Sequence, residues 1–230
     1  MKHHVTLFDI IPGLNQLPSH IAGALLVCVL LCILSVIFYL RIRKQEDAEV
    51  PPDKFCLRNV FELIVEYVLD LVENMTGPKG RRFFPIIGAT FLFILVSNIM
   101  GLIPGLVPPT DNVNTNAACA IFIFLSTYYF GIKEHGLAYF KKLAGPVWWL
   151  AFLFLPIEII SHCIRPVSLT LRLYGNIFGD HAVLAIFSDL IPLIVPIPFL
   201  ALGTLVSVIQ ALVFTLLSIV YISEAISHEH

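Results

Sequence analysis

The stretch LIPLIVPIPFLALGTLVSVIQALVFTLLSIVYIS, residues 190–223, contains 34 residues and no charged side chain. As a helix it would be about 50 Å long, whereas the hydrocarbon core of a bilayer is only about 30 Å thick. Three further uncharged runs occupy residues 21–40, 83–110 and 112–132, and each is long enough for one crossing. The pattern predicts an all-α, multi-pass membrane protein with about five transmembrane helices.

Composition supports the same class. Of the 230 residues, 58% are hydrophobic and only 13% are charged, against about 25% charged in soluble domains. A net charge of −2 indicates no nucleic-acid partner. Five cysteines lie mostly in apolar runs without metal-ligand spacing, and we interpret them as small hydrophobic residues: Cys28, Cys32, Cys56, Cys119 and Cys163.

The basic residues predict the orientation in the membrane. If each uncharged run crosses the membrane once, eleven of the 14 basic residues lie on the same side. They are Arg41, Arg43, Lys44, Lys54, Arg58, Lys79, Arg81, Arg82, Lys133, Lys141 and Lys142. Cytoplasmic loops carry an excess of Lys and Arg. We therefore expect segments 41–82 and 133–145 and the C-terminus to be cytoplasmic, and the N-terminus to lie outside.

We expect one membrane domain over residues 1–230. Its predicted parts are an outside segment 1–20, spans 21–40, 83–104 and 114–132, an interfacial helix 55–75, and a long tilted hairpin of 146–189 and 192–225. The interfacial helix is amphipathic, with apolar residues at three- and four-residue spacing. Its polar face is acidic, which disfavours anionic lipid, so either solvent or a partner subunit covers it.

The segment 146–189 is twice the length of a normal span and carries a polar stripe. We expect one long tilted helix, or one broken near Pro166. Seven polar residues fall within an arc of about 120° on such a helix: Glu158, Ser161, Arg165, Ser168, Arg172, Asn176 and Asp180. Ionisable residues inside a membrane usually mark a functional site. The alternatives are buried structural pairs, such as Glu158 with Arg165, and snorkelling of Arg165 to the interface.

The final run carries a weaker polar stripe. It consists of Gly203, Ser207, Gln210, Ser218 and Tyr221. Ser and Thr in membrane helices often only bond to backbone or pack helices, but the Gln210 amide needs several hydrogen-bond partners. Two long helices with one polar stripe each are expected to pack as a hairpin.

The motif PVSLTLRLYGN, residues 166–176, strongly resembles the P-V-S-L-x-L-R-L-[FY]-G-N motif of subunit a of F-type ATP synthases. The likeness continues at Gln210 and at residues 219–221, at the ending 227–230, and at the outer loop 111–114. It covers nearly the whole chain and is weakest before Ile21.

The resemblance implies a stator for proton movement past a rotating ring of subunit c, with no catalytic site, cofactor or metal of its own. By matching, Arg172 is the essential arginine that faces the ring carboxylate and separates two half-channels. The implied partners are the ring, the peripheral stalk subunit b, other ATP synthase subunits and membrane lipid, in a plasma membrane. Asn176, Gln210 and Tyr221 belong to the polar lining, Asp180 and His181 to the outer half-channel, and Glu158, Ser161, Arg165 and Ser168 to the inner half-channel.

One position departs from the family pattern. The family often pairs an acid and a histidine in the outer half-channel, one nine residues after the arginine and the other on the last helix. Here the first position is His181, preceded by Asp180, and the second is Gly203. The resemblance thus leaves Asp180 and His181 as a candidate pair, although neighbours on a helix point about 100° apart.

Three other functions were weighed against this one. A secondary transporter would clamp an anion with Arg165 and Arg172, but it predicts inverted repeats, and the two halves of the sequence do not resemble each other. A haem protein would use His162 and His181, but these histidines are 19 residues apart on one helix, which is too far for both to bind one iron. A nucleotide enzyme would need a phosphate-binding G-x-x-x-x-G-K-[ST] motif, which the sequence lacks.

Overall fold

The computed structural model describes residues 18–43, 57–103, 106–136, 139, 151–190 and 196–227. Regular structure within these segments is entirely helical, in agreement with the all-α prediction. The α-helices are α1 (Ser19–Arg43), α2 (Leu57–Thr76), α3 (Phe84–Met100), α4 (Val113–His135), α5 (Ala151–Leu190) and α6 (Pro196–Ile226), and 3-10 turns occupy Pro78–Arg82 and Pro109–Asp111. Most of the outside segment 1–20 and parts of the loops, including 44–56 and 140–150, lie outside the described residues.

Three of these helices are long and apolar enough to cross a membrane. They are Ser19–Leu40 within α1, the whole of α4, and Ile197–Ile226 within α6. Helix α3 is apolar but shorter, with 17 residues. Helix α5 has 40 residues and contains the charged stripe. The structure therefore fits an all-α membrane protein, and the number of five crossings stays a prediction.

The chain divides into two compact units, Met1–Pro109 and Thr110–His230. The single membrane domain over 1–230 stays a prediction. In the first unit, Phe38 of α1 stacks on Phe61 of α2 with ring centroids 4.7 Å apart. Helix α2 overlaps the segment 55–75 and buries Val68 and Val72 completely. It is followed by Gly77, whose φ of 72° suits glycine.

The second unit is a packed group of α4, α5 and α6. Helix α4 begins where the side chain of Asn112 accepts a hydrogen bond from the backbone N–H of Asn114, at 2.9 Å, a normal N-cap. It ends at Gly136, whose φ is 60° and whose N–H donates to the carbonyl of Ile132 at 2.7 Å. These two caps account for the bounds of α4.

Helices α5 and α6 are antiparallel. Arg165 contacts Glu224, Asn176 contacts Gln210, and Phe187 stacks on Phe199, so residue numbers rise along α5 as they fall along α6. The break that the sequence allowed near Pro166 is not formed, because α5 runs through both Pro156 and Pro166. Interior prolines are tolerated in membrane helices where neighbouring groups satisfy the freed backbone.

A close contact at Gly131 of α4 gives a first prediction. A Cβ atom built there would lie 2.6 Å from Cε2 of Tyr139, and Tyr139 is only 4% exposed. Gly131→Val should therefore lower the free energy of unfolding by about 1–3 kcal/mol through overpacking. Thermal unfolding of the detergent-solubilised full chain measures it. Gly175→Ala is the matched control, because nothing lies within 4 Å of a Cβ there; an equal loss for both variants would contradict the packing argument.

Candidate functional site

Arg172 lies on the exposed face of α5. Leu169, Leu173 and Ile177 recur every four residues and are buried, so they turn one face of the helix toward the rest of the second unit. Arg172 and Leu171 are exposed. Within the described segments Arg172 forms no ion pair. This is unusual because the insertion of an arginine at the centre of a membrane helix costs about 2.5–3.5 kcal/mol of free energy.

The surface around Arg172 is apolar and open. Ile164, Leu171 and Ile186 are more than half exposed. Gly175 and Gly179 follow Arg172 within two turns, and a Cβ at either position would meet nothing within 4 Å. Small residues four apart let another helix approach closely in a membrane. This face can therefore accept a neighbouring helix with Arg172 at the contact.

A hydrogen bond between amides joins the two long helices one turn beyond Arg172. Nδ2 of Asn176 donates to Oε1 of Gln210 at 2.5 Å. Gln210 is 4% exposed, and its Nε2 has no hydrogen-bond partner among the described residues. Leaving a buried donor without a partner costs free energy. The N–H of Gln210 is therefore ready to bind a further group close to the exposed amide of Asn176.

An ion pair two turns before Arg172 also joins these helices. Both terminal nitrogens of Arg165 lie 2.9 Å from the carboxylate oxygens of Glu224, a bidentate geometry. The guanidinium carbon also lies 5.0 Å from the ring centroid of Tyr221. The Glu158–Arg165 pair that the sequence suggested is not formed, because Arg165 turns across to α6 and Glu158 pairs with His162 at 3.2 Å.

These groups line one polar cavity. Its volume is about 50 Å³, enough for three or four waters at about 10–15 Å³ each. Its walls come from α4, α5, α6 and Tyr139, so it forms only when all three helices pack together. The lining residues are Thr127, Tyr139, Glu158, His162, Arg165, Tyr221, Glu224 and Ala225.

A second acid–histidine contact occurs near the opposite end of α5. Nδ1 of His181 lies 3.9 Å from Oδ1 of Asp111, in the turn before α4. Burial raises the pKa of the Asp111 carboxyl, and the nearby imidazole partly opposes that rise. Asp180 is half-buried beside His181. The structure thus brings to His181 an acid from outside α5, in addition to its neighbour in sequence.

The structure brings some of the predicted site residues together and leaves others apart. Glu158, Arg165 and Tyr221 share the cavity, Asn176 bonds to Gln210, and Arg172 stands between them; Ser161 is exposed and Ser168 half-buried. Sequence reasoning did not place His162, Glu224 or Asp111 in the proton path. His162 is spaced four residues from Glu158, and Glu224 ends the long uncharged run, which are the signals that could have identified them. No metal-binding cluster of three or more His, Cys, Asp or Glu occurs in the described segments.

The fold and site together fit an all-α membrane protein, in which an arginine without an ion pair among the described residues lies on an exposed helix face. The sequence profile described as ATP synthase A chain matches residues 24–223. The chain belongs to this family, subunit a of F-type ATP synthases. It is accordingly an ion-translocating component of the membrane sector and not a catalytic subunit.

Relatives of similar length support this membership. The chain is 48% identical over 211 residues to ATP synthase subunit a 1 of Syntrophotalea carbinolica, covering 92% of this chain and 87% of the relative. It is 41% identical over 223 residues to ATP synthase subunit a of Bdellovibrio bacteriovorus, covering 96% and 97%. With the subunit from Trichlorobacter lovleyi the identity is 51% over 174 residues, or 76% of each chain.

Proposed function

We propose that this chain is the stator that leads protons to and from carboxylates on a rotating ring of subunit c. The observation that carries the proposal is the exposed, unpaired Arg172 on the open face of α5. A guanidinium stays charged even when poorly hydrated, since its pKa exceeds about 12. Because none of the described residues forms an ion pair with Arg172, a carboxylate of a neighbouring subunit is the matching partner.

Arg172 discharges each ring site in this mechanism. A carboxylate that arrives beside the guanidinium is stabilised as the anion and releases its proton. Facing lipid, the same carboxylate must be neutral, because an isolated charge in hydrocarbon is expensive. Arg172 therefore prevents a protonated site from passing directly between the two half-channels, and the rotation of the ring couples them.

The remaining polar residues line the two half-channels. Asn176, Asp180, His181 and Gln210 serve the outer path, where an imidazole suits proton transfer because one ring nitrogen can accept a proton while the other donates one. Glu158, Ser161, Arg165, Ser168 and Tyr221 serve the inner path, and the polar cavity supports this assignment because it can hold water beside Glu158. The free N–H of Gln210 is placed to bind water beside Asn176.

The proposed setting is a plasma membrane with about five crossings, the N-terminus outside and the C-terminus cytoplasmic. Besides the ring, peripheral stalk subunit b, other ATP synthase subunits and lipid would cover the chain. The anion-transporter alternative loses its clamp, since Arg165 is already bound to Glu224 and cannot hold a substrate together with Arg172. ATP-driven acidification of inverted vesicles carrying Arg172→Ala tests the proposal.

A further inference from the structure

Arg165 is held more completely than an interfacial arginine needs to be. Two nitrogens contact the two oxygens of Glu224, and the guanidinium lies against the Tyr221 ring. Its side chain is 21% exposed, and that of Glu224 is 53% exposed. A snorkelling arginine would extend toward water, whereas this one is turned across to α6. The arrangement therefore fixes both the position and the charge of Arg165.

The pairing of Arg165 with Glu224 leaves Arg172 as the other arginine of the same helix. Arg165 and Arg172 are seven residues apart, which places them about 10 Å apart along the axis and within about 20° of each other around it. A ring carboxylate is attracted to any free cation on this side. Only Arg172 is free of an ion pair within the described part of α5, since Glu224 compensates Arg165.

Arg165 also borders the groups that can carry protons at the cavity. Glu158 and His162 form a pair there, and each favours its unprotonated form when a free cation is near. Among the described residues, the other titratable or polar groups that face the cavity or these side chains are Cys163 on α5, Thr127 and Tyr128 on α4, Tyr139, and Tyr221 with Glu224 on α6. Glu224 is the acid that directly contacts Arg165 in this set.

We propose that Glu224 is a positioning residue of the inner half-channel: it neutralises and fixes Arg165, so that Glu158 and His162 exchange protons without a free cation beside them. The inference rests on the proposed proton path. It assigns to Glu224 an electrostatic role beyond that of a tie between two helices. A tie and a neutralising charge give different results when both partners are removed together.

The pH dependence of ATP-driven pumping tests the inference. In inverted vesicles the bath meets the cytoplasmic face, so proton uptake through the inner half-channel requires protonated groups at bath pH. Glu224→Gln leaves Arg165 free and favours loss of those protons, so the bath pH at half-maximal pumping should fall by roughly half to one unit. The expected change in this midpoint is smaller than for a fully buried pair, because Glu224 is half exposed and solvent screens its charge.

The reverse substitution has the opposite sign. Arg165→Gln leaves an uncompensated Glu224 anion, which favours the protonated forms, so the midpoint should rise by a similar amount. The double variant, Arg165→Gln with Glu224→Gln, removes both charges and should return the midpoint to that of the unmodified complex. Glu224→Asp keeps the charge and should also keep the midpoint.

A purely structural tie would give another pattern. All variants that break the pair, including the double variant, would then pump more slowly with the midpoint unmoved, and this result overturns the inference. Glu73→Gln is the matched control, because it breaks the exposed Arg81–Glu73 pair, neither member of which lines the cavity, and it should leave the profile unchanged. Each single variant has its own sign, so either one suffices if the other does not assemble. Normal pumping by Arg172→Ala would instead refute the proposed function itself.

Discussion

Arg172→Ala is expected to abolish ATP-driven proton pumping, with at least about a 10²-fold loss of initial rate, a size seen when one preorganised charge is removed. Without the guanidinium, the described residues of α5 offer no arginine or lysine that lacks a counter-charge, since Arg165 is paired with Glu224, so the ring site keeps its proton. The measurement is acidification of inverted vesicles after ATP addition, with the amount of assembled complex determined on the same membranes.

Two further variants sharpen this prediction. Arg172→Lys should also lose most activity, because an ammonium group can deprotonate when it is desolvated, whereas a guanidinium does not. Arg81→Ala removes the same charge from an exposed ion pair with Glu73, and such pairs contribute little; pumping should stay within about twofold of the unmodified complex. If assembled complex with Arg172→Ala pumped normally, the two-half-channel mechanism would be wrong.

His181→Ala is expected to have the second largest effect, about a 10²-fold lower pumping rate, the usual size for loss of a group that transfers protons. Nδ1 of the imidazole lies 3.9 Å from Oδ1 of Asp111, in the turn before α4. A carboxylate at this distance attracts the positive charge that a proton in transit brings to the ring. Asp111→Asn should therefore reduce the rate by about 3–10-fold, which corresponds to about one kcal/mol.

Asp180→Asn is the matched comparison, because it makes the same chemical change beside His181 in sequence. If Asp111 is the working partner, Asp180→Asn should slow pumping less than Asp111→Asn does. A larger effect of Asp180→Asn would instead assign the outer pair to Asp180 and His181, as the resemblance alone suggested. Unchanged pumping by His181→Ala would remove this histidine from the path.

The second half of the fold shows how far local pattern reaches. The long apolar run after residue 190 predicts α6, and the stripe from Glu158 to Asp180 predicts a long helix with one polar face. Neither pattern decides whether that helix breaks at Pro166, because proline opposes a helix locally while packing and membrane insertion favour a continuous one. The structure resolves this in favour of a single helix, Ala151–Leu190.

The sequence alone determined the membrane class, and it singled out Arg172 as the predicted functional residue. Both are local properties, since hydrophobicity is summed over about 20 neighbouring residues and an arginine in such a segment is costly wherever it points. Tertiary structure alone decided which partner each polar group has. Arg165 contacts Glu224, 59 residues away, and His181 contacts Asp111 in the turn before α4. Such pairs depend on the rotation and register with which the helices pack, and sequence periodicity does not specify either.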